Sequence, residues 1–250
     1  MIQLKSAREL DVMAAGGRIL SDTLQLLART TRAGISTAEL DRVAEEFIRS
    51  HAGATPAFKG LYGFPATVCI SVNEEIVHGI PSPRRALRDG DIVSLDVGVK
   101  YQRLFTDAAI TVAIGEVDAD SLRLMDTAKR ALAAGIAAAL SGNHTGDIGH
   151  AIHEVVAKDG FTTADDLVGH YVGYQPHGDP QIPNFGKPRR GTRLVSGLTI
   201  AIEPMVNLGT SRTRTLSDKW TVVTEDSRRS AHFEHTVAIT DDGPRILTAA

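Results

Sequence analysis

The pattern of apolar and polar positions divides the chain into two similar runs, each with helices first and strands after. The stretch SARELDVMAAGGRILSDTLQLLART places apolar side chains at helical spacing, with Ser6 and Glu9 in capping-box positions at its start. STAELDRVAEEFIRSHAG repeats the scheme from Ser36 and Glu39, and Gly34 and Gly53 supply the stops. After the Gly- and Pro-broken GLYGFPATVCISVNEEIVHGIP, residues 91–115 (DIVSLDVGVKYQRLFTDAAITVAIG) read as two strands joined by a turn. An Ala/Leu helix follows in DADSLRLMDTAKRALAAGIAAAL, capped by Asp118 or Asp120, and a shorter one in TGDIGHAIHEVVAKDG. From about Asp166 onward the chain reads as strand and loop. This order predicts an α+β fold in which residues 1–250 form one domain of two related halves, about 1–117 and 118–250. FTDAAIT and FEHTVAIT, one in each half, echo one another.

The hairpin carries an anomaly. Each of its apolar strands holds one acid in its middle, Asp96 and Asp107. A turn centred on Tyr101 and Gln102 sets the two directly opposite each other on one face, where like charges destabilise a sheet. Burying a bare carboxylate is costly as well. A divalent cation with oxygen ligands resolves the conflict; a register slip that exposes one acid, or an Arg cap, would also resolve it. The second half has the same feature: Glu203 in LTIAIEPMV, Glu234 in SAHFEHTVAIT and His170 in LVGHYVG are polar residues inside apolar strands. Four carboxylates balance two divalent cations. Oxygen ligands with one imidazole suit Mn, Fe, Co or Zn, and paired metals of this kind acidify water and polarise a carbonyl.

NEEIVHGIP, SLDVGVKYQRLFTDAAIT, GHYVGYQPHGDP, IAIEPMV and SAHFEHTVAIT resemble, in order and spacing, the motifs of the methionine aminopeptidases. The resemblance runs from about Leu4 to Leu247. It implies the pita-bread fold, with two pseudo-symmetric halves and helices around a curved, mainly antiparallel sheet. It also implies removal of the N-terminal methionine from nascent chains when the second residue is small. By the same resemblance Asp96, Asp107, His170, Glu203 and Glu234 hold two metals, with Asp107 and Glu234 bridging, and a metal-activated water attacks the carbonyl. Glu203 would shuttle the proton, His177 contact the substrate carbonyl and His78 lie near the scissile amide nitrogen. Phe58, Leu61, Phe64, Cys69 and Trp220 fall on or near family positions for the methionine pocket; ordinary core packing would suit them equally. Tyr171, Tyr174, Gln175 and Pro176 depart from the family pattern, and the expectation is that they reshape the cleft rim. Thr106 and the HGDP stretch depart from it too.

Two rivals share this fold: an Xaa-Pro peptidase, and a non-catalytic peptide-binding relative. The first carries an extra N-terminal domain for which the residues before Asp96 leave no room; the second typically loses ligands, and all five are present. The short spacings from His170 to Glu203 and from Glu203 to Glu234 fit the compact type I form. No Cys-rich extension precedes them, which fits a bacterial or organellar origin.

Composition narrows the partners. With 42% hydrophobic and 23% charged residues the chain is ordinary soluble material, and a net charge of −3 gives no bulk basic character for sequence-specific nucleic-acid binding. The lone Cys69 excludes an internal disulfide framework and a Cys-based zinc finger. MIQLKSARELDVM does not read as a signal peptide, and no apolar run is long enough for a membrane span. The expected setting is a cytoplasmic monomer. The basic loop GKPRRGTR reads as a solvated turn, with ribosome contact as the other possibility. His150, His153 and Glu154 mimic a metal pair but lack further ligands at helical spacing. They, with His144 in a loop and His51 at a helix end, are set aside.

Overall fold

The computed structural model describes residues 3–249. Among the described residues four α-helices form where the periodicity places them: α1 (Ala7–Thr30), α2 (Thr37–Arg49), α3 (Ala119–Ala138) and α4 (Thr145–Lys158). Ser6 and Glu9 close the full capping box of α1, whereas Ser36 gives α2 only the forward bond to the Glu39 amide. Asp118, rather than Asp120, caps α3. His144 is the N-cap of α4. His51 sits just past the end of α2, with Nδ1 2.9 Å from the Phe47 carbonyl.

The first half contributes β1 (Ala54–Pro56), β2 (Val68–Val72), β3 (Glu75–Val77), β4 (Ile92–Tyr101) and β5 (Leu104–Ala113). The second contributes β6 (Thr162–Thr163), β7 (Gly169–Tyr171), β8 (Gly178–Ile182), β9 (Thr199–Ile202), β10 (Met205–Asn207), β11 (Thr213–Thr215) and β12 (Val222–Thr224). β13 (Ser230–His232), β14 (Glu234–Thr240) and β15 (Gly243–Ile246) complete it. Nine strands form the central sheet in the order β1-β4-β5-β14-β9-β7-β8, with β2 on β4 and β15 on β14. β13-β10-β6 and β11-β12-β3 form two small sheets, and the strand pairings among the described residues are antiparallel.

The halves meet where β14 lies between β5 and β9. Helices cover one face of the sheet. Leu20, Leu24 and Leu27 of α1 and Leu40 and Ile48 of α2 pack on Val68, Ile70, Leu95, Val97 and Val99. Leu124, Ala128 and Leu132 of α3 and Ile148 and Ile152 of α4 pack on Ile200, Ile202, Val237 and Ile239. Because strand residues alternate between faces, Asp96 of β4 and Asp107 of β5 point the other way, toward the cavity.

The register of β4 and β5 differs from the expected one. The turn residues are Gln102 and Arg103, with Tyr101 paired to Leu104, so Asp96 pairs with Ala109 and Asp107 with Gly98. The acids are therefore diagonal neighbours rather than directly opposed. The displacement is two residues, which preserves the face of every side chain; apolar alternation is blind to it, and the turn decides. Gln102 takes the left-handed conformation there, at φ 56°.

Candidate active site

The four acids and His170 converge because strand pairing carries one face across the junction of the halves. Glu234 pairs with Ala109, itself the partner of Asp96, so Asp96, Asp107 and Glu234 share that face. Thr236 pairs with Ala201, which places Glu203, two residues on, beside them. Tyr171 pairs with Ile200 of the helix-facing set, which turns His170 the other way, toward the acids. Hydroxyls lock the seam. The Thr236 Oγ1 donates to the Asp107 carbonyl and accepts from its amide, each at 2.8 Å.

Ligand-type atoms gather in three overlapping sets, each within 4.8 Å: Asp96, Asp107 and Glu234; His170, Glu203 and Glu234; and Asp107, His170 and His177. His170 Nε2 stands 3.4 Å from Glu203 Oε1 and 3.9 Å from Asp107 Oδ2. Its Nδ1 lies 2.9 Å from the Tyr171 carbonyl. Donation there fixes the tautomer and leaves the Nε2 lone pair facing the acids, the arrangement of a metal-ligating imidazole.

The electrostatics favour a cation. Asp96 Oδ1, Asp107 Oδ1 and Glu234 Oε1 are buried and have no hydrogen-bond partner. Burial first, with Glu203 adding repulsion and His232 opposing, pushes the Asp96 carboxyl up to about 7. Burial and the neighbouring carboxylates drive Asp107 and Glu234 upward as well. Glu203 behaves differently. Burial acts to raise its carboxyl, but His232, His170 and His177 together hold it below the ordinary glutamate value. Buried charges of one sign persist when they coordinate metal, and an all-carboxylate set with one imidazole is a donor set for divalent cations. The residues fit such ions.

A cavity of about 310 Å³ opens above the acids. Phe58, Leu61, Phe64, Cys69 and Trp220 line it, as do His78 and His177. Phe64 and Trp220 meet edge to face with centroids 5.1 Å apart, and His78 meets Trp220 in the same way at 6.3 Å. His177 packs edge-on against His170 at 4.5 Å. Burial first, then His170, lowers His177 to about 4, so it is a neutral imidazole with an N–H to give. Burial also lowers His78, which holds a left-handed backbone at φ 59°. Burial, and after it Asp96, keeps the Cys69 thiol protonated, as a small apolar wall residue.

The rim differs from expectation. Tyr171, Tyr174, Gln175 and Pro176 do not line the cavity. Adjacent strand residues face opposite sides, so the Tyr171 ring goes into the helix-side core, with Lys5 Nζ 3.8 Å above it. The Tyr174 hydroxyl donates to Glu9 Oε1 at 2.5 Å. The rim is instead completed by residues the alternation does not flag: Tyr62, Val77, Leu167, Val168 and Met205. Tyr62 is 75% exposed, left-handed at φ 51°, and stacks on His177 at 6.2 Å. His232 is a further omission. It lies two residues before Glu234, a spacing that signals a shared face, and it is 1% exposed. His150, His153 and Glu154 stand on α4, away from the acids, with His150 Nδ1 4.0 Å from Glu154 Oε1.

Residues 11–241 match metallopeptidase family M24, so fold and site together define a metallopeptidase on the pita-bread fold. At full length the chain is similar to "Methionine aminopeptidase" of Clostridium perfringens, 50% identical over 248 residues and 99% of both chains. It is 46% identical to "Methionine aminopeptidase 1" of Bacillus subtilis, again over 99% of both. The crystal structure of the Thermotoga maritima methionine aminopeptidase superposes with a TM-score of 0.97 at 40% identity, covering all of both chains. A prolidase from Pyrococcus horikoshii shares the fold at TM-score 0.80 and 20% identity, with 99% of this chain covering 63% of that one. The chain belongs to metallopeptidase family M24 and, within it, to the methionine aminopeptidases. Divalent metal use follows from that membership. Among the described residues no helix is long and apolar enough to cross a membrane.

Proposed function

We propose that the chain removes N-terminal methionine from peptides and nascent proteins whose second residue is small, with two divalent cations held by Asp96, Asp107, His170, Glu203 and Glu234. The observation that carries this reading is the convergence of four carboxylates, Asp107 and Glu234 buried and Asp96 and Glu203 half-buried, with one oriented imidazole on the floor of an apolar cavity. Asp107, Glu234 and His170 each belong to two of the converging sets; of these, only the carboxylates have two oxygens, so Asp107 and Glu234 would be the ones able to serve both cations. When bound, the cations supply Lewis acidity to the substrate carbonyl and lower the pKa of water.

The side chains perform the rest. The cavity takes the methionine side chain between Phe58, Leu61, Phe64, Cys69 and Trp220, where a thioether gains by burial and by aromatic contact. Glu203 is the proton shuttle, taking a proton from the attacking water and passing it to the departing amine. Neutral His177 donates an N–H to the carbonyl oxygen as negative charge develops there. His78 stands at the side of the scissile nitrogen and positions the amide. Residues 1–250 act as one catalytic unit, each half supplying part of the ligand set: Asp96 and Asp107 from the first, His170, Glu203 and Glu234 from the second.

The test is reconstitution of metal-stripped protein with Mn, Fe, Co or Zn, followed by assay of free amino acids released from Met-Ala-Ser, Leu-Ala-Ser and Ala-Pro-Ser peptides. The reading expects metal-dependent release of methionine alone. Preferred cleavage of the Xaa-Pro peptide would move the chain to the prolidase side.

A further inference from the structure

His232 is buried at 1% exposure, and neither of its ring nitrogens has a hydrogen-bond partner. Its position is not accidental to the fold. The Thr111 hydroxyl accepts from the His232 amide at 2.9 Å and donates to its carbonyl at 2.8 Å, and Met205 pairs with it across β10. This backbone grip aims Nε2 at two carboxylates, 3.6 Å from Glu203 Oε2 and 3.8 Å from Glu234 Oε2. Glu203 thus lies between two imidazoles, one at each oxygen, because Oε1 faces His170 at 3.4 Å. The two rings are not equivalent. His170 belongs to the converging ligand sets, and His232 belongs to none of them among the described residues.

An imidazole outside the ligand sets, pointed at the far oxygen of a ligand carboxylate, is placed as an orienting donor. We propose that His232 is a positioning residue that donates its Nε2–H to Oε2 of Glu203 and so keeps Oε1 turned to the cavity for metal binding and proton transfer. The 3.6 Å separation is outside hydrogen-bond range, so the donation requires the ring and the carboxylate to move closer by about half an ångström. Without this donor the Glu203 carboxylate is free to turn about its terminal torsion, which is broad for glutamate.

The inference rests on Glu203 as ligand and shuttle, and its test has two readouts. Turnover of Met-Ala-Ser and Mn(II) affinity by calorimetry are measured for wild type, His232→Leu and His232→Gln, with melting temperature as the folding control. A glutamine amide reaches the place of Nε2. The expected result for His232→Leu is kcat and Mn(II) affinity each about 10–100-fold lower, the usual effect of losing an outer-shell partner, with KM within about twofold. His232→Gln recovers most of both. If the leucine variant does not fold, His232→Asn, polar but one methylene too short, takes its place and should be equally impaired. Wild-type values in His232→Leu overturn the proposal, and so does a glutamine variant no better than leucine, which would leave only packing. X-ray absorption of the Co(II) protein that loses a nitrogen ligand in both variants also overturns it, making His232 a ligand. A wild type that binds Mn(II) without releasing methionine counts against the peptidase reading, while the affinity comparison still decides the role of His232.

Discussion

The floor and the rim of the cavity are built by opposite means. The floor is sheet: Asp96, Asp107, Glu234 and Glu203 stand on or beside paired strands whose register fixes their mutual distances. The rim is largely loop: Phe58, Tyr62, Phe64, Leu167, His177 and Trp220 all lie outside regular strands. The lesson is a division of labour. Placement of cations tolerates little movement, so it rests on the hydrogen-bonded scaffold; recognition of a side chain tolerates variation, and loops supply it.

That contrast predicts a ranking of effects. Glu203→Ala, on the floor, should cost the most, because under the proposed function it removes both a ligand and the proton shuttle. The shuttle alone is worth about 10²–10⁴ in kcat, and a kcat near wild type would break the assignment of chemistry to the floor. His177→Ala, on the rim but facing the floor, should lower kcat by about 10²–10³, as loss of one stabiliser of developing charge does. If KM rises at unchanged kcat instead, His177 only binds. Phe64→Ala should act on selectivity: kcat/KM for Met-Ala-Ser falls about 10–100-fold, while the ratio of methionine to leucine release narrows, within the range an apolar pocket can discriminate. An equal loss for both peptides would mean that Phe64 supports the floor.

The floor was legible in the sequence because acids interrupt an apolar alternation, and a carboxylate in that setting requires a partner. Its register was not legible, since a two-residue slip leaves every face unchanged and only the turn at Gln102 tells the two apart. His232 was passed over for a different reason: its two-residue spacing from Glu234 signals the shared face, but a histidine within an apolar stretch also reads as an ordinary core residue. The rim was read in part. Phe58, Leu61, Phe64, Cys69 and Trp220 line the cavity, but Tyr62, with its left-handed backbone, answers to no periodicity. Tyr171 was assigned to the rim although its neighbour His170 faces the cavity, and strand alternation alone sends it to the other side.

The smallest expected effect lies behind the rim. Lys5 Nζ donates to the Val172 carbonyl at 3.3 Å and sits over the Tyr171 ring. Burial, partly offset by Glu9, lowers its pKa from 10.5 to about 7. Between those values the unfolded chain holds a proton that the folded chain lacks, so the Lys5 contribution to stability rises with pH across that window and is flat below it. Lys5→Met should therefore weaken the pH dependence of the melting temperature between about 7 and 10, with little change in kcat. An unchanged slope would place the Lys5 ammonium in solvent.

The central claim is that the floor holds two cations. Anomalous diffraction from crystals soaked in Mn(II) tests it most directly. The account predicts two peaks, one among Asp96, Asp107 and Glu234 and one beside His170, Glu203 and Glu234, both lost in Glu234→Ala. A single peak, or ions bound away from these carboxylates, would contradict it.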